Sequence, residues 1–266
     1  MGWNKLSGRA FGRAAVTGGL LLAAGAVQAG VSVGAGIEYF YWREYDGLTN
    51  EELLDETGPR AVATLELSAG VARMTDLLVR GKVYGGKVDY DGALQDLNTG
   101  ATTPWKSKTR YKGITAEGGF GFKSQNRDGN AASAILTFGV DNWTRDLQGT
   151  GGYEEEYTLM FLRIGGESEG KRWRGRGGLL FPVDVEEHVD LFGGFDLRPD
   201  PSPWFYFGIG YRMNPQLELA LDYQGYRLDN SDPVAVDVDG DGVADGVVFQ
   251  PRSEQDTLTA TIRVNF

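Results

Sequence analysis

The chain has 266 residues, no cysteine, 40 glycines and a formal net charge of −11. Glycine is about twice as frequent as usual without a collagen-like period, and the aromatic content of 12% is too high for a disordered chain. The acidic balance argues against a nucleic-acid partner, because neutralising phosphates takes clustered Lys and Arg. Beyond the N-terminus no uncharged apolar run reaches about 18 residues, which excludes a helical membrane protein but not one that crosses with amphipathic strands.

The first 29 residues are organised like an export signal. Three basic residues precede a short stretch built almost wholly from Ala, Gly, Leu and Val, and no acidic residue interrupts them. Small residues at Val27 and Ala29 complete the pattern of a secretory signal peptide with cleavage after Ala29. We therefore expect residues 1–29 to be removed and residues 30–266 to form a single domain.

The last ten residues alternate strictly between two kinds of side chain. The even positions are apolar: Leu258, Ala260, Ile262, Val264 and Phe266. The odd positions are Thr257, Thr259, Thr261, Arg263 and Asn265. A period of two predicts a β-strand with one apolar and one polar face.

The same test, applied along the chain, predicts about ten strands. They cover residues 31–45, 60–71, 76–90, 108–123, 131–145, 154–167, 172–182, 203–213, 216–229 and 253–266. Their connections alternate in length, with long ones at 46–59, 91–107, 146–153, 183–202 and 230–252. This alternation predicts an antiparallel up-and-down sheet, and residues 183–202 could extend two of its strands into a protruding hairpin.

Strand length and the placement of aromatic residues favour a sheet that faces lipid. The strands have ten or more residues, whereas soluble strands centre on about 5 to 6 and a tilted transmembrane strand needs about 9 to 11. Aromatic residues cluster near strand ends, as expected of girdles at the two membrane interfaces. They are Tyr39, Tyr41, Tyr45, Tyr90, Trp105, Trp143, Trp173, Trp204, Tyr211 and Tyr223.

An export signal, amphipathic strands, no cysteine and a final strand ending in Phe266 make the chain resemble the outer-membrane β-barrel proteins of Gram-negative bacteria. The resemblance implies an all-β, antiparallel transmembrane up-and-down barrel with short periplasmic turns and long extracellular loops. It also implies location in the outer membrane, contact with outer-membrane lipid, and insertion by the barrel assembly machinery through Phe266. The subfamily is not indicated.

Acidic residues with the spacing of a calcium loop lie in the last long connection: Asp237, Asp239, Asp241 and Asp245. Gly242 stands where such a loop turns sharply, and a hard cation needs several converging oxygens. The twelfth position is Val248 instead of the Glu of an EF-hand, so the segment resembles shorter Asp-rich calcium loops. We predict a Ca²⁺ site here, with a solvated acidic turn as the alternative.

His188 is the single histidine of the chain, so multi-histidine zinc sites are excluded. Omptin proteases, which resemble the chain in strand number, place an Asp–His pair opposite a second Asp pair at the barrel mouth. His188 and Asp190 could form the first pair, but no motif supplies the second. We expect a histidine at the outer rim and no enzymatic activity.

The face opposite the apolar one carries charges on nearly every strand. These residues are Glu38, Glu66, Arg80, Lys82, Glu117, Asp141, Arg174, Arg176, Arg212, Glu218, Asp222 and Arg263. In a narrow barrel such charges pair and fill the bore, although rings of charge also select ions in channels. We predict a filled barrel with acidic outer loops and a structural or interaction role, and a narrow pore remains the alternative. Arg80, Arg174, Arg176 and Glu218 would then be the selectivity residues.

Overall fold

The computed structural model describes residues 29–47, 49–95, 102–125, 131–149, 151–238 and 240–266. Their strands are β1 (Ala29–Tyr45), β2 (Glu52–Ala72), β3 (Thr75–Gln95), β4 (Thr102–Gln125), β5 (Ala131–Leu147), β6 (Glu154–Glu169), β7 (Trp173–Val189), β8 (Phe195–Leu197), β9 (Pro199–Ser202), β10 (Trp204–Arg212), β11 (Leu217–Ser231), β12 (Val234–Val236), β13 (Gly246–Val248) and β14 (Arg252–Asn265). None of the described residues belongs to a helix long and apolar enough to cross a membrane. The predicted signal peptide lies outside the described residues apart from Ala29, which begins β1.

Within the described residues, ten strands pair with their neighbours in an antiparallel ring and close into a barrel. The ring runs β1 to β7, then β10, β11 and β14, and it closes where β14 pairs with β1. β8 prolongs the hairpin after β7, and β9 pairs with β11. β12 and β13 form a separate hairpin in the last long connection. The predicted fold class is confirmed.

Side chains alternate between lipid and lumen as the period of two predicts. In β14, Leu258 and Ile262 are 43% and 56% exposed, whereas Thr259 and Thr261 are buried. The exposed apolar residues of all ten strands form a continuous outer belt, and the polar residues point inward. This inversion of the soluble pattern is the property of a wall that lies in lipid.

Several strands continue beyond the belt at the end with the long connections. β2 begins at Glu52 instead of residue 60, and β4 begins at Thr102 instead of residue 108, so the loops are shorter than predicted. The pairing continues because the inner face of this region still buries side chains such as Tyr111. The protruding hairpin predicted at 183–202 is present, since β7 pairs with β8.

We call the part of the barrel above the outermost apolar residues the extracellular extension. It comprises residues 42–45, 52–58, 86–95, 102–113, 142–147, 154–158, 184–189, 195–202, 224–231 and 252–257. Its outer face carries charged residues in cross-strand pairs, such as Lys106 with Asp91. Its inner face continues the lumen described below.

Candidate functional site: the closed lumen

A polar vestibule occupies the periplasmic end of the lumen. Its volume is about 580 Å³, and its wall includes residues of both charges. Lys123 pairs with Asp76 at 2.6 Å, and Arg212 pairs with Glu169 at 2.5 Å. The vestibule is therefore a hydrated, nearly charge-balanced space.

An ion-pair network crosses the lumen above the vestibule. Glu66 of β2 accepts hydrogen bonds from Arg174 and Arg176 of β7, at 3.0 and 3.1 Å. These two strands are five places apart in a ring of ten, so the pairs bridge the full diameter of the barrel. Arg176 also contacts Asp222 of β11 at 2.9 Å. Such pairing compensates charges that have been removed from water.

The network leaves little free space towards the extracellular side. A second cavity of about 90 Å³ lies there between the network and the residues above it. It is large enough for only a few water molecules, each of which takes about 30 Å³ in the liquid. The polar path from the periplasm therefore narrows sharply at this level.

An aromatic plug fills the bore above the small cavity. We define it by eight buried side chains: Phe40, Trp42, Tyr84, Tyr111, Trp143, Tyr157, Phe161 and Tyr226. The Trp143 ring stacks on Tyr157 with centroids 4.8 Å apart, and it lies parallel to Tyr226 at 6.2 Å. Since β5 and β11 are four places apart in the ring, the Trp143–Tyr226 contact crosses the bore. The eight rings occupy the bore at this level and are at most 6% exposed.

Arg60 and its polar partners contact the plug on its periplasmic side. The Arg60 guanidinium lies 3.9 Å from the centroid of Phe40 and 4.5 Å from that of Tyr84, within range of cation–π attraction. It also donates to Glu38, which accepts a second hydrogen bond from Lys82 at 2.9 Å. The charge of Arg60 is therefore both paired and covered by rings.

Asp141 is a hydrogen-bond acceptor for three strands at the base of the plug. Tyr84 and Thr115 donate to its Oδ1, each at 2.9 Å. Tyr226 donates to its Oδ2 at 3.0 Å. The phenol groups that would otherwise be buried without partners are satisfied by one carboxylate, which fixes the ring orientations.

A buried acidic cluster lies above the plug, within the extracellular extension. Arg145 of β5 contacts Glu155 at 2.7 Å, Glu56 at 2.9 Å and Glu44 at 3.3 Å. Among the described residues of this cluster, four glutamates including Glu187 face that one arginine. The cluster therefore holds more carboxyl groups than its arginine can neutralise.

Burial changes the protonation of this cluster. Loss of hydration raises the pKa of Glu187 well above its ordinary value of 4.5, and the nearby Glu155 and Glu44 raise it further. Burial also raises the pKa of Glu44, against the opposing effect of Arg145. Glu187 thus keeps its proton to a higher pH than an ordinary glutamate, which lowers the like-charge repulsion in the cluster.

The inner positions predicted from the sequence are confirmed, since all twelve of the charged residues named above lie on the lumen face. The four residues considered for ion selectivity are engaged in the network. Arg80 pairs with Glu117 at 3.2 Å, and Glu218 pairs with Arg263 at 3.4 Å. Arg174 and Arg176 are held by Glu66.

The prediction of an aromatic girdle is wrong at three positions. Trp143 and Tyr90 are only 1% and 5% exposed inside the barrel, and the Trp105 ring packs on Tyr90 with centroids 5.2 Å apart. They lie in strands that continue above the membrane, so their rings fill the extension instead of lining the lipid. Tyr39 and Trp173 do face outward, with exposures of 54% and 57%.

Sequence reasoning did not identify the acidic cluster. Arg145 lies four residues after Asp141 on the same strand, so the period of two already placed it on the inner face. The partners come from β1, β2 and β6, and no local pattern shows that these strand ends meet. The alternation of β5 could have shown that Arg145 points inward. The partners of Arg145 could not be found, because they depend on how the strands are aligned around the barrel.

The described calcium candidates Asp237, Asp241 and Asp245 lie in the connection between β12 and β13. Asp237 accepts backbone N–H groups of Gly240 and Gly242 at 2.7 and 2.6 Å, and Asp245 accepts that of Val238 at 2.9 Å. Asp239 lies outside the described residues, and no group of three or more metal-ligating side chains occurs in the part of the chain that is described. Calcium binding by Asp237, Asp239, Asp241 and Asp245 stays a prediction.

His188 lies on the outer face of β7, one residue before the strand ends at Val189. Its Nδ1 is 2.7 Å from Oδ1 of Asp196 on β8, and both side chains are about half exposed. The register of β7 with β8 brings these two residues opposite each other. The pair considered from the sequence, His188 with Asp190, is not the one that the described residues form.

No family model matches the chain, and no curated protein matches it. Solved structures do resemble it. The outer membrane protease OmpT from Escherichia coli is similar with a TM-score of 0.53 and 12% identity, over 90% of this chain and 96% of that one. An outer membrane channel from Pseudomonas putida F1 is similar with a TM-score of 0.41 and 11% identity, over 89% and 96%.

A third similar structure is Ail, the attachment invasion locus protein of Yersinia pestis, with a TM-score of 0.35 and 9% identity over 90% of this chain and 99% of that one. At these identities the likeness to OmpT concerns the fold alone. The chain has the fold of Gram-negative outer-membrane β-barrels, and its apolar belt agrees with the predicted location in the outer membrane.

Proposed function

We propose that this protein is a closed outer-membrane barrel that acts through contacts of its extracellular extension and not by conducting solutes. The observation behind this proposal is the aromatic plug. Trp143, Tyr157 and Tyr226 are at most 1% exposed and cross the bore, which supports a lumen that side chains fill at this level. A pore needs a water-filled route.

The extracellular extension is suited to an interaction role. It raises paired strands above the membrane on a rigid base, since its inner face is packed and cross-linked by Arg145. Binding sites are more precise on rigid strands than on isolated loops. The charged outer faces of these strands, together with the acidic loops at their top, would then contact the partner.

The second candidate function is a narrow pore, and the periplasmic vestibule of about 580 Å³ favours it. To conduct, the barrel would have to displace the plug and part of the diameter-spanning pairs of Glu66. Those pairs are partly buried, so breaking them would leave charges that are incompletely hydrated. We therefore rank the pore below the closed barrel.

We do not propose catalysis. The exposed His188–Asp196 pair lies on the outer wall of the barrel and not in the lumen. A general base acts only within hydrogen-bond reach of the proton that it removes.

Planar-bilayer recordings of the refolded protein test this proposal. We expect no stable conductance steps, in calcium or with a chelator. Steady steps in both conditions would support the pore instead. Steps that appear in only one condition would mean that the Asp237–Asp245 loop gates a conducting barrel, which would also contradict the closed-barrel proposal.

A further inference from the structure

Three basic side chains form a patch on the outer wall just above the apolar belt. Lys87 of β3 lies directly opposite Arg110 of β4 in the strand register, and Lys112 is the next outward residue of β4. All three side chains are exposed. We call them the basic patch.

The basic patch is poorly neutralised by the protein. Arg110 is 3.8 Å from Asp146, and this exposed pair is the one ion pair of the patch among the described residues. Lys87 and Lys112 have no carboxylate within ion-pair distance in the part of the chain that the structure describes. Like charges directly opposite each other destabilise a sheet, so this arrangement is unfavourable unless an anion is bound.

Further from the membrane, the lysines of β4 are paired with acidic residues of β3. Lys108 pairs with Asp89, and Lys106 pairs with Asp91, on the same two strands. On the other side of the barrel, Arg43 and Arg227 are likewise held by acidic residues of β14. On the described outer faces of β3 and β4 above the apolar belt, the excess positive charge is therefore confined to the basic patch.

The height of the basic patch fits the lipid headgroups. Ile114 and Val83, both about half exposed, are the last large apolar residues on the outer faces of β4 and β3. Lys112 lies two positions from Ile114 towards the extracellular end, which is about 7 Å along a strand. Lys87 and Arg110 lie four positions from Val83 and Ile114, about 13 Å along their strands. The headgroup region extends about 5–7 Å beyond the hydrocarbon on each side. Flexible lysine and arginine side chains from this row can reach phosphates in that region.

We propose that Lys87, Arg110 and Lys112 bind the phosphate of an anionic lipid headgroup in the outer leaflet. The lipid would supply the negative charge that the strands lack and would hold the β3–β4 side of the barrel at a fixed depth. Basic residues close to a membrane surface each add to the attraction for anionic lipid. This site is independent of whether the lumen conducts.

Native mass spectrometry of the full protein from mixed micelles tests the site, with phosphatidylglycerol and phosphatidylcholine as the two probes. The wild-type protein should retain phosphatidylglycerol in preference to phosphatidylcholine. The variant K87Q/R110Q/K112Q should lose that preference by about tenfold or more. Because the three side chains are exposed, we expect it to fold, which circular dichroism would verify.

The matched control is K106Q/K108Q, which removes two lysines of the same strand that the protein already pairs. It should retain phosphatidylglycerol like the wild type. Equal retention by K87Q/R110Q/K112Q and the wild type would overturn the proposal, as would an equal loss in the control. Displacement of the lipid by inorganic phosphate at the same concentration would also overturn it, because the site would then recognise free phosphate and not a lipid.

Discussion

The indole ring of Trp143 lies 4.8 Å from the ring of Tyr157, and the two planes are 5° apart. This stacked pair joins β5 to β6 at the level where the membrane ends, and Tyr226 extends it across the bore. Below it the lumen is polar and partly open to the periplasm, and above it lies the buried acidic cluster. The pair thus lies between the polar periplasmic part of the lumen and the buried acidic cluster. The closed-barrel proposal depends on this position of the plug.

Arg145→Met should strongly destabilise the extracellular extension. The substitution removes the cation that Glu44, Glu56 and Glu155 share and leaves their charges buried. We expect a loss of about 3–5 kcal/mol in the free energy of unfolding, measured by urea titration with tryptophan fluorescence. Arg198→Met removes an exposed arginine 3.6 Å from Asp184 and should change it by less than about 0.5 kcal/mol. Equal effects of the two substitutions would contradict the role of Arg145.

Stability should depend on pH through Glu187. Its pKa is raised in the folded state, so the folded protein binds more protons than the unfolded chain at pH values between 4.5 and the raised pKa. The free energy of unfolding contributed by this group should therefore fall as the pH rises through that range. Glu187→Gln should remove this fall in urea titrations at several pH values. Glu186→Gln alters the neighbouring outward residue, which is 46% exposed, and should leave the fall in place.

Gly36→Ala should weaken closure of the barrel. An added Cβ at Gly36 would lie 1.9 Å from the backbone oxygen of Ala260, where β1 pairs with β14. We expect a loss of stability of about 1–3 kcal/mol or more, seen as a lower urea midpoint. Gly70→Ala places the new Cβ 3.7 Å from Asp76, an ordinary contact, and serves as the control. Unchanged closure in Gly36→Ala would show that the strands can separate without cost.

Calcium binding by the outer loop is testable by calorimetry. If Asp237, Asp239, Asp241 and Asp245 converge on Ca²⁺, the protein should bind it with a Kd of about 10⁻⁴–10⁻³ M, as extracellular modules do. The variant D237N/D241N should show no binding heat, and D229N, outside the motif, should resemble the wild type. Identical heats in all three proteins would mean that the loop is a solvated turn.

The sequence allowed the fold to be predicted because each strand repeats one simple pattern. In β14 the alternation from Thr257 to Asn265 identifies both faces. Short turns such as those of β2–β3 and β10–β11 make strands that are neighbours in sequence also neighbours in space. The strand ends were harder to predict. Residues 52–59 carry charges and a proline instead of a clear apolar face, yet pairing with β1 and β3 keeps them extended.

The sequence predicted which charged residues face the lumen, but not which of them contact each other. Parity placed Glu66 and Arg176 inside, but contact between them depends on the barrel's diameter and stagger, which local patterns do not encode. The sequence also led to a wrong position for one residue of the plug. Trp143 was assigned to the lipid interface because it lies near a strand end, although its parity with Asp141 pointed inward.

Ion efflux from potassium-loaded vesicles tests the closed lumen most directly when the wild type is compared with W143A/Y226A. Removing these two rings should open a path between the small cavity and the acidic cluster. We expect no efflux above empty vesicles for the wild type and measurable efflux for the variant. Efflux through the wild-type protein at a rate similar to that of the variant would contradict the claim that the aromatic plug closes the barrel.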